Sequence, residues 1–172
     1  MPETSEPAAL VQRLAGAPAF AIFEPQDLST LITHCEPRRL APREALWAAG
    51  ATGHKAYILV DGALEQTLRH PPQGQTIRQH RQPGTLLGLH HLVQDWEHSS
   101  AVTALEQTEL LVLTQQRFQD LFEAGEPAAF RLIDRLAEQL VTEMREANER
   151  LQDVFGHPAE TLRTLRRRLR DG

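Results

Sequence analysis

Apolar positions run at two different periods along the chain, and the switch between them divides it. Pro7 to Leu14 reads as a short helix. Pro25 to Thr33 reads as a second, with Pro25 suited to a first turn and Leu28, Leu31 and Ile32 on one face. From Glu36 to Leu113 the helical period gives way to short apolar stretches, Ala45–Trp47, Tyr57–Val60, Thr76–Arg78, Ala101–Leu105 and Leu110–Leu113, separated by Gly, Pro and Asp. Short strands with punctuated turns predict a β-barrel or roll. Asp61-Gly62 lies between Tyr57–Val60 and the alternating run Ala63–Leu68, and its glycine supplies the positive φ that a two-residue hairpin needs. A second hairpin is predicted at Pro71 to Gly74.

Helical spacing then returns. Thr114 predicts a cap for a helix of about Gln115 to Glu123, its hydroxyl accepting a backbone N–H of the first turn, and Gly125 ends that helix. Pro127 opens a long helix in which Ile133, Ala137, Leu140, Met144, Ala147, Leu151 and Val154 alternate at spacings of four and three. An amphipathic helix lying on its own domain would also need an apolar face. The length of the stripe favours a homodimer seam. Gly156-His157-Pro158 breaks the helix, and Ala159 to Arg170 can form a last short one with Leu162, Leu165 and Leu169 on one face.

Composition bounds the picture without changing it. The chain has 172 residues, 41% hydrophobic and 24% charged, with a formal net charge of −5, which suits one ordinary globular domain with appendages. Cys35 is the single cysteine, so an internal disulfide, a four-cysteine zinc site and a Cys-ligated iron–sulfur cluster are excluded. Glu3 and Glu6 stand where a secretory signal would carry positive charge, and no apolar run approaches about 18 residues. The expectation is a cytoplasmic protein with no membrane span. Charge is uneven: Arg163, Arg166, Arg167, Arg168 and Arg170 face only Glu160 and Asp171 in residues 159–172, and the other residues carry 13 Lys plus Arg against 21 Asp plus Glu. The body should repel nucleic acid, whereas the arginine tail could dock on an acidic partner, an anionic membrane surface or RNA, or simply be a solvated face.

The order of elements and a set of local motifs resemble the cyclic nucleotide-binding domain of the catabolite-activator superfamily over about Leu14 to Phe155. Glu44 to Gly50 is similar to the family's strand pair leading to a glycine turn. Tyr57-Ile-Leu-Val-Asp-Gly62 is similar to its Y-x-I-x-x-G hairpin, and Pro83-Gly84-Thr-Leu-Leu-Gly88 to the entry of its phosphate-binding cassette. The resemblance implies an α+β, mainly β fold: a jelly-roll-like β-roll (double-stranded β-helix) flanked by N-terminal helices and a long C-terminal dimerisation helix. It implies an N-terminal arm at residues 1–13, the roll at 14–126, the heptad helix at 127–155 and a basic tail at 156–172.

Within that family the cassette holds a cyclic phosphate with backbone N–H groups at a short helix start, a paired arginine and neighbouring hydroxyls, while a glutamate takes the ribose hydroxyl. Here the glutamate position after Gly88 is Leu89, followed by His90, and the arginine position is His98, beside Ser99 and Ser100. Leu89 would present an apolar wall to polar hydroxyls. Imidazole is mostly neutral near pH 7 and cannot fork onto two oxygens as guanidinium does. The expectation is a non-enzymatic regulatory or sensor domain with a degenerate cassette, serving another nucleotide-like small ligand or a regulatory protein partner, with no cofactor. A weak cyclic-nucleotide sensor using Ser99, Ser100 and the helix start at Gly88 is the alternative. The family's transcription factors continue into a helix-turn-helix domain, and the 17 residues after Phe155 are too few for one, so sequence-specific DNA binding is not expected.

Eight histidines raise a third reading, a cupin-like metal-dependent enzyme using His80, His90, His91 and His98. The spacing argues against a metal site, because adjacent His90 and His91 on a short helix should point in different directions. No Ser-His-Asp or paired-carboxylate motif appears. Cys35 after His34 is expected to be an ordinary small thiol, since sequence neighbours at a helix end rarely face each other.

Overall fold

A computed structural model describes residues 7–70 and 74–156, side chains excepted at His70, Arg150 and 152–156. The tail arginines Arg163, Arg166, Arg167, Arg168 and Arg170 therefore lie outside the described residues. Two compact units divide at Ile133/Asp134.

The first unit opens with helices α1 (Pro7–Ala15) and α2 (Pro25–Thr33), joined through a short 3-10 turn at Pro18–Phe20. Leu28, Leu31 and Ile32 are buried along α2 as their spacing requires. Its first turn is closed from both sides, because the Glu24 carboxylate accepts from the Asp27 backbone while Asp27 accepts from the Glu24 N–H at 3.2 Å. Asp27 is only 4% exposed, and Arg131 Nε reaches it at 2.8 Å, which ties the start of the last helix to α2.

Eight strands follow: β1 (Glu36–Leu40), β2 (Ala45–Trp47), β3 (Lys55–Asp61), β4 (Leu64–His70), β5 (Gly74–His80), β6 (Leu86–Leu87), β7 (Ser100–Ala104) and β8 (Thr108–Thr114). They form two antiparallel four-stranded sheets, ordered β1-β8-β3-β6 and β2-β7-β4-β5. The core is made between them. Leu40, Tyr57, Leu59, Leu110 and Val112 from the first sheet meet Trp47, Leu64, Val102 and Ala104 from the second. The β-roll, mainly β with flanking helices, is thus as the sequence predicts. Strand β3 is buried on both faces, from Ala56 to Val60, which explains its unbroken apolar run. Strand β7 alternates buried and half-buried residues, so one face looks inward.

One turn differs from expectation. Asp61-Gly62 is not a hairpin: β3 pairs with β6 and β8, whereas β4 pairs with β5 and β7. The turn carries the chain from one sheet to the other. Gly62 still needs its positive φ of 93°, and the backbone of Gln107 and Thr108 lies so close that a Cβ would sit 2.6 Å from a carbonyl oxygen. The β4–β5 pair is a hairpin as predicted, with Gly74 opposite His70.

Helix α3 (Gln115–Glu123) starts at Thr114, whose Oγ1 accepts from the Arg117 N–H at 3.3 Å, and ends before Gly125 at φ 72°. Helix α4 runs from Pro127 to Gly156 and crosses the division between the units. On it Leu140, Met144 and Leu151 are 38%, 65% and 53% exposed. Among the described residues, no helix is long and apolar enough to cross a membrane.

Candidate ligand site

The segment that resembles the family's cassette enters at Pro83–Gly88, through β6. Gly84, at φ 87°, packs against Ala17 and Phe20, and Gly88, at φ 73°, caps a four-residue 3-10 turn, Leu89–Leu92. This turn lies over β3: a Cβ on Gly88 would come within 3.0 Å of the Lys55 carbonyl. The close approach accounts for the glycine, and it also decides the fate of Leu89. Leu89 is 2% exposed and packs among the buried apolar residues. His90 is half-buried and Ser99 exposed, while His98 and Ser100 are buried.

His98 sits inside the roll on three supports. Its ring stacks on the Trp47 indole, with centroids 4.3 Å apart and planes 11° from parallel. Its Nδ1 lies 2.9 Å from Nε2 of His91, which is fully buried. Gly53 packs against both rings, and a Cβ there would meet His91 Nδ1 at 2.6 Å and His98 Nε2 at 2.7 Å. Gly53 is therefore a glycine for lack of room.

Electrostatics follow from this packing. Burial, with the nearby charges of His90, His98 and His54, lowers the His91 pKa to about 4. Burial and His90 lower that of His98 as well. Both rings are neutral at pH 7, and a hydrogen bond between neutral imidazoles needs one donor and one acceptor. His91 Nδ1 is buried with no hydrogen-bond partner. A bare acceptor is tolerated there better than an unpaired N–H, which favours His91 Nε2 as the donor. The position where the family resemblance places an arginine thus carries an uncharged ring already bonded to another.

Beside this pair a polar line crosses the second sheet. The Trp47 indole N–H donates to the Ser100 carbonyl at 2.9 Å. The Gln66 side-chain amide donates to Ser100 Oγ at 2.8 Å, and its carbonyl accepts from His80 Nε2 at 3.0 Å. Trp47, Gln66, His80 and Gly53 have no motif of their own; cross-strand pairing joins the first three through Ser100, while Gly53, off the strands, lies against the His91 and His98 rings.

The His90 and His91 rings do not diverge as expected of helix neighbours; they pack at 4.0 Å, yet His90 is part-exposed and His91 faces inward. Among the described residues no group of three or more His, Cys, Asp or Glu is placed to hold a metal ion. Cys35 is buried, and burial pushes its thiol up to about 12, partly offset by Arg117. His34 Nδ1 meets the Thr30 carbonyl at 2.8 Å.

The family description "Cyclic nucleotide-binding domain" matches residues 37–124, from β1 to the end of α3. The chain belongs to the cyclic nucleotide-binding domain family. Among relatives in this family is a cyclic AMP receptor protein of Thermus thermophilus, 27% identical over 128 residues, which are 74% of this chain and 59% of that protein. The solved catabolite activator protein of Thermus thermophilus superposes with a TM-score of 0.70 at 22% identity, covering 80% of this chain and 63% of that one. A cyclic nucleotide-binding domain from Methylobacillus flagellatus gives 0.69 at 16% identity, covering 84% of this chain and 81% of its own. The chain thus spans about three fifths of the length of the two Thermus relatives.

Proposed function

We propose that this chain is a non-enzymatic regulatory domain that does not take cAMP or cGMP in the family's usual way. It acts instead through another small ligand or a protein partner. The observation that carries the reading is His98. At the position where the family resemblance places a phosphate-pairing arginine stands a buried, neutral imidazole, stacked on Trp47 and bonded to His91. Losing a charged hydrogen bond costs roughly 1.5–3 kcal/mol, about ten- to a hundredfold in affinity. Leu89, at the ribose-binding position, is buried and supplies no acceptor for a hydroxyl. Weak sensing through Ser99 and Ser100 has less support, because Ser99 faces solvent and the Ser100 hydroxyl is already engaged by Gln66.

Homodimerisation through α4 belongs to the same proposal. Leu140, Met144 and Leu151 keep the heptad spacing and are exposed, which suits a self-complementary seam.

Titration calorimetry with cAMP and cGMP tests the cassette reading. Binding in the millimolar range or none is expected. A dissociation constant below about 10 μM, equivalent to roughly 7 kcal/mol, overturns it.

A further inference from the structure

The polar line across the second sheet carries more than sheet stability. Register places Arg78 of β5 directly opposite Gln66 of β4, and His80 opposite Leu64, whose side chain is in the core. Residues directly opposite each other in an antiparallel pair share a face. Arg78, Gln66 and His80 therefore stand on the inward face of the sheet, where Gln66 reaches Ser100. Burial rises along the line, from exposed Arg78 through half-buried His80 and Gln66 to Ser100 at 5% exposure.

We propose that this face is an oxyanion-binding site, taking the phosphate or carboxylate group of a small molecule. The inference rests on the reading above, that the roll takes a ligand other than through its cassette. Each group has a distinct part. Arg78 supplies a permanent positive charge and five N–H donors, enough to keep a protein contact and still fork onto ligand oxygens. Ser100 Oγ accepts from Gln66, which leaves its own O–H to donate. His80 spends Nε2–H on Gln66, so its Nδ1 is an acceptor for a ligand N–H or O–H. Burial and the charge of Arg78 both lower the His80 pKa, and an anion beside Arg78 would relieve the second effect. The cation missing from the cassette is thus present two strands away, on β5 rather than on the loop before β7.

Titrating the uniformly ¹⁵N-labelled full chain with inorganic phosphate and, separately, with acetate, against sodium chloride at matched ionic strength, tests the site. Saturable shifts of the Gln66 side-chain amide and the Arg78 and Ser100 backbone amides are expected with phosphate, acetate or both, and the responding probe identifies the oxyanion. Arg78→Gln should weaken that binding by about tenfold or more, because it removes the charge and the fork. Arg69→Gln, which removes a charge from the opposite face of β4, should leave it unchanged. Absence of saturable shifts beyond chloride with either probe, or unchanged affinity in Arg78→Gln, overturns the site. Shifts centred on Gly88 to Ser99 also overturn it. Tight cAMP binding with shifts in that segment would instead defeat the cassette reading.

Discussion

At the scale of single residues, the position of His98 was legible and its environment was not. Motif spacing located an imidazole where the family resemblance puts a guanidinium, but nothing in the sequence joined it to His91 seven residues earlier, to Trp47 on another strand, or to a glycine chosen for lack of space. The buried pair makes stability depend on pH. The folded-state pKa of His91, about 4, is below the usual 6.5, so between those values the unfolded chain binds a proton that the folded chain refuses. This stability is fully present above about pH 7 and is lost as pH falls toward 4, on the order of 3 kcal/mol. Chemical denaturation of wild type and His91→Leu between pH 7 and pH 5 measures it, since most carboxylates stay ionised there. The variant should show a shallower loss. Equal slopes would mean that His91 titrates normally. Gly53→Ala should cost about 1–3 kcal/mol by forcing the two rings apart. Gly16, with nothing within 4 Å of its missing Cβ and no positive φ, is the matched control and should be near neutral.

Elements were legible in proportion to their periodicity. Strands β3, β7 and β8 and helices α2, α3 and α4 carry clear apolar runs or stripes. Strand β1 buries only Leu40, and β6 has two residues, so neither announces itself. The Asp61-Gly62 turn shows the limit more sharply. Its residues specify a positive φ, and a hairpin and a crossing between sheets both need one, so local chemistry could not choose. Pairing chose, because β3 is claimed on both edges by β6 and β8. The distinction has a measurable consequence. In a free hairpin Gly62→Ala would strain only the turn, whereas here the methyl also strikes the backbone of Gln107 and Thr108 at 2.6–2.7 Å. Strain and clash together should cost about 2–3 kcal/mol in denaturant unfolding. A cost below about 1 kcal/mol would show that the strand junction relaxes freely.

For the whole molecule, the heptad stripe poses the question that a single chain leaves open: what covers α4. A helix of 30 residues is long for a globular protein, and beyond the buried Leu132 and Leu136 its exposed apolar positions gain little while they face water. Leu140, Val141, Met144 and Leu151 together expose more large apolar surface than scattered surface residues would. A second copy of the same helix presents matching knobs at the same spacing, which a chance partner would not. Sedimentation at tens of micromolar should therefore give a dimer. Leu140→Asp or Leu151→Asp places a carboxylate in the seam and should shift the protein toward monomer, while Glu138→Gln, a change of charge without apolar loss, should not. The roll serves as an internal reference, because a variant that only loses the dimer keeps the near-ultraviolet signal of Trp47 stacked on His98. A wild type that sediments as a monomer would remove self-association from the proposal and leave the stripe for a different protein. Dimer loss accompanied by a collapsed Trp47 signal would show instead that the substitution had damaged the fold.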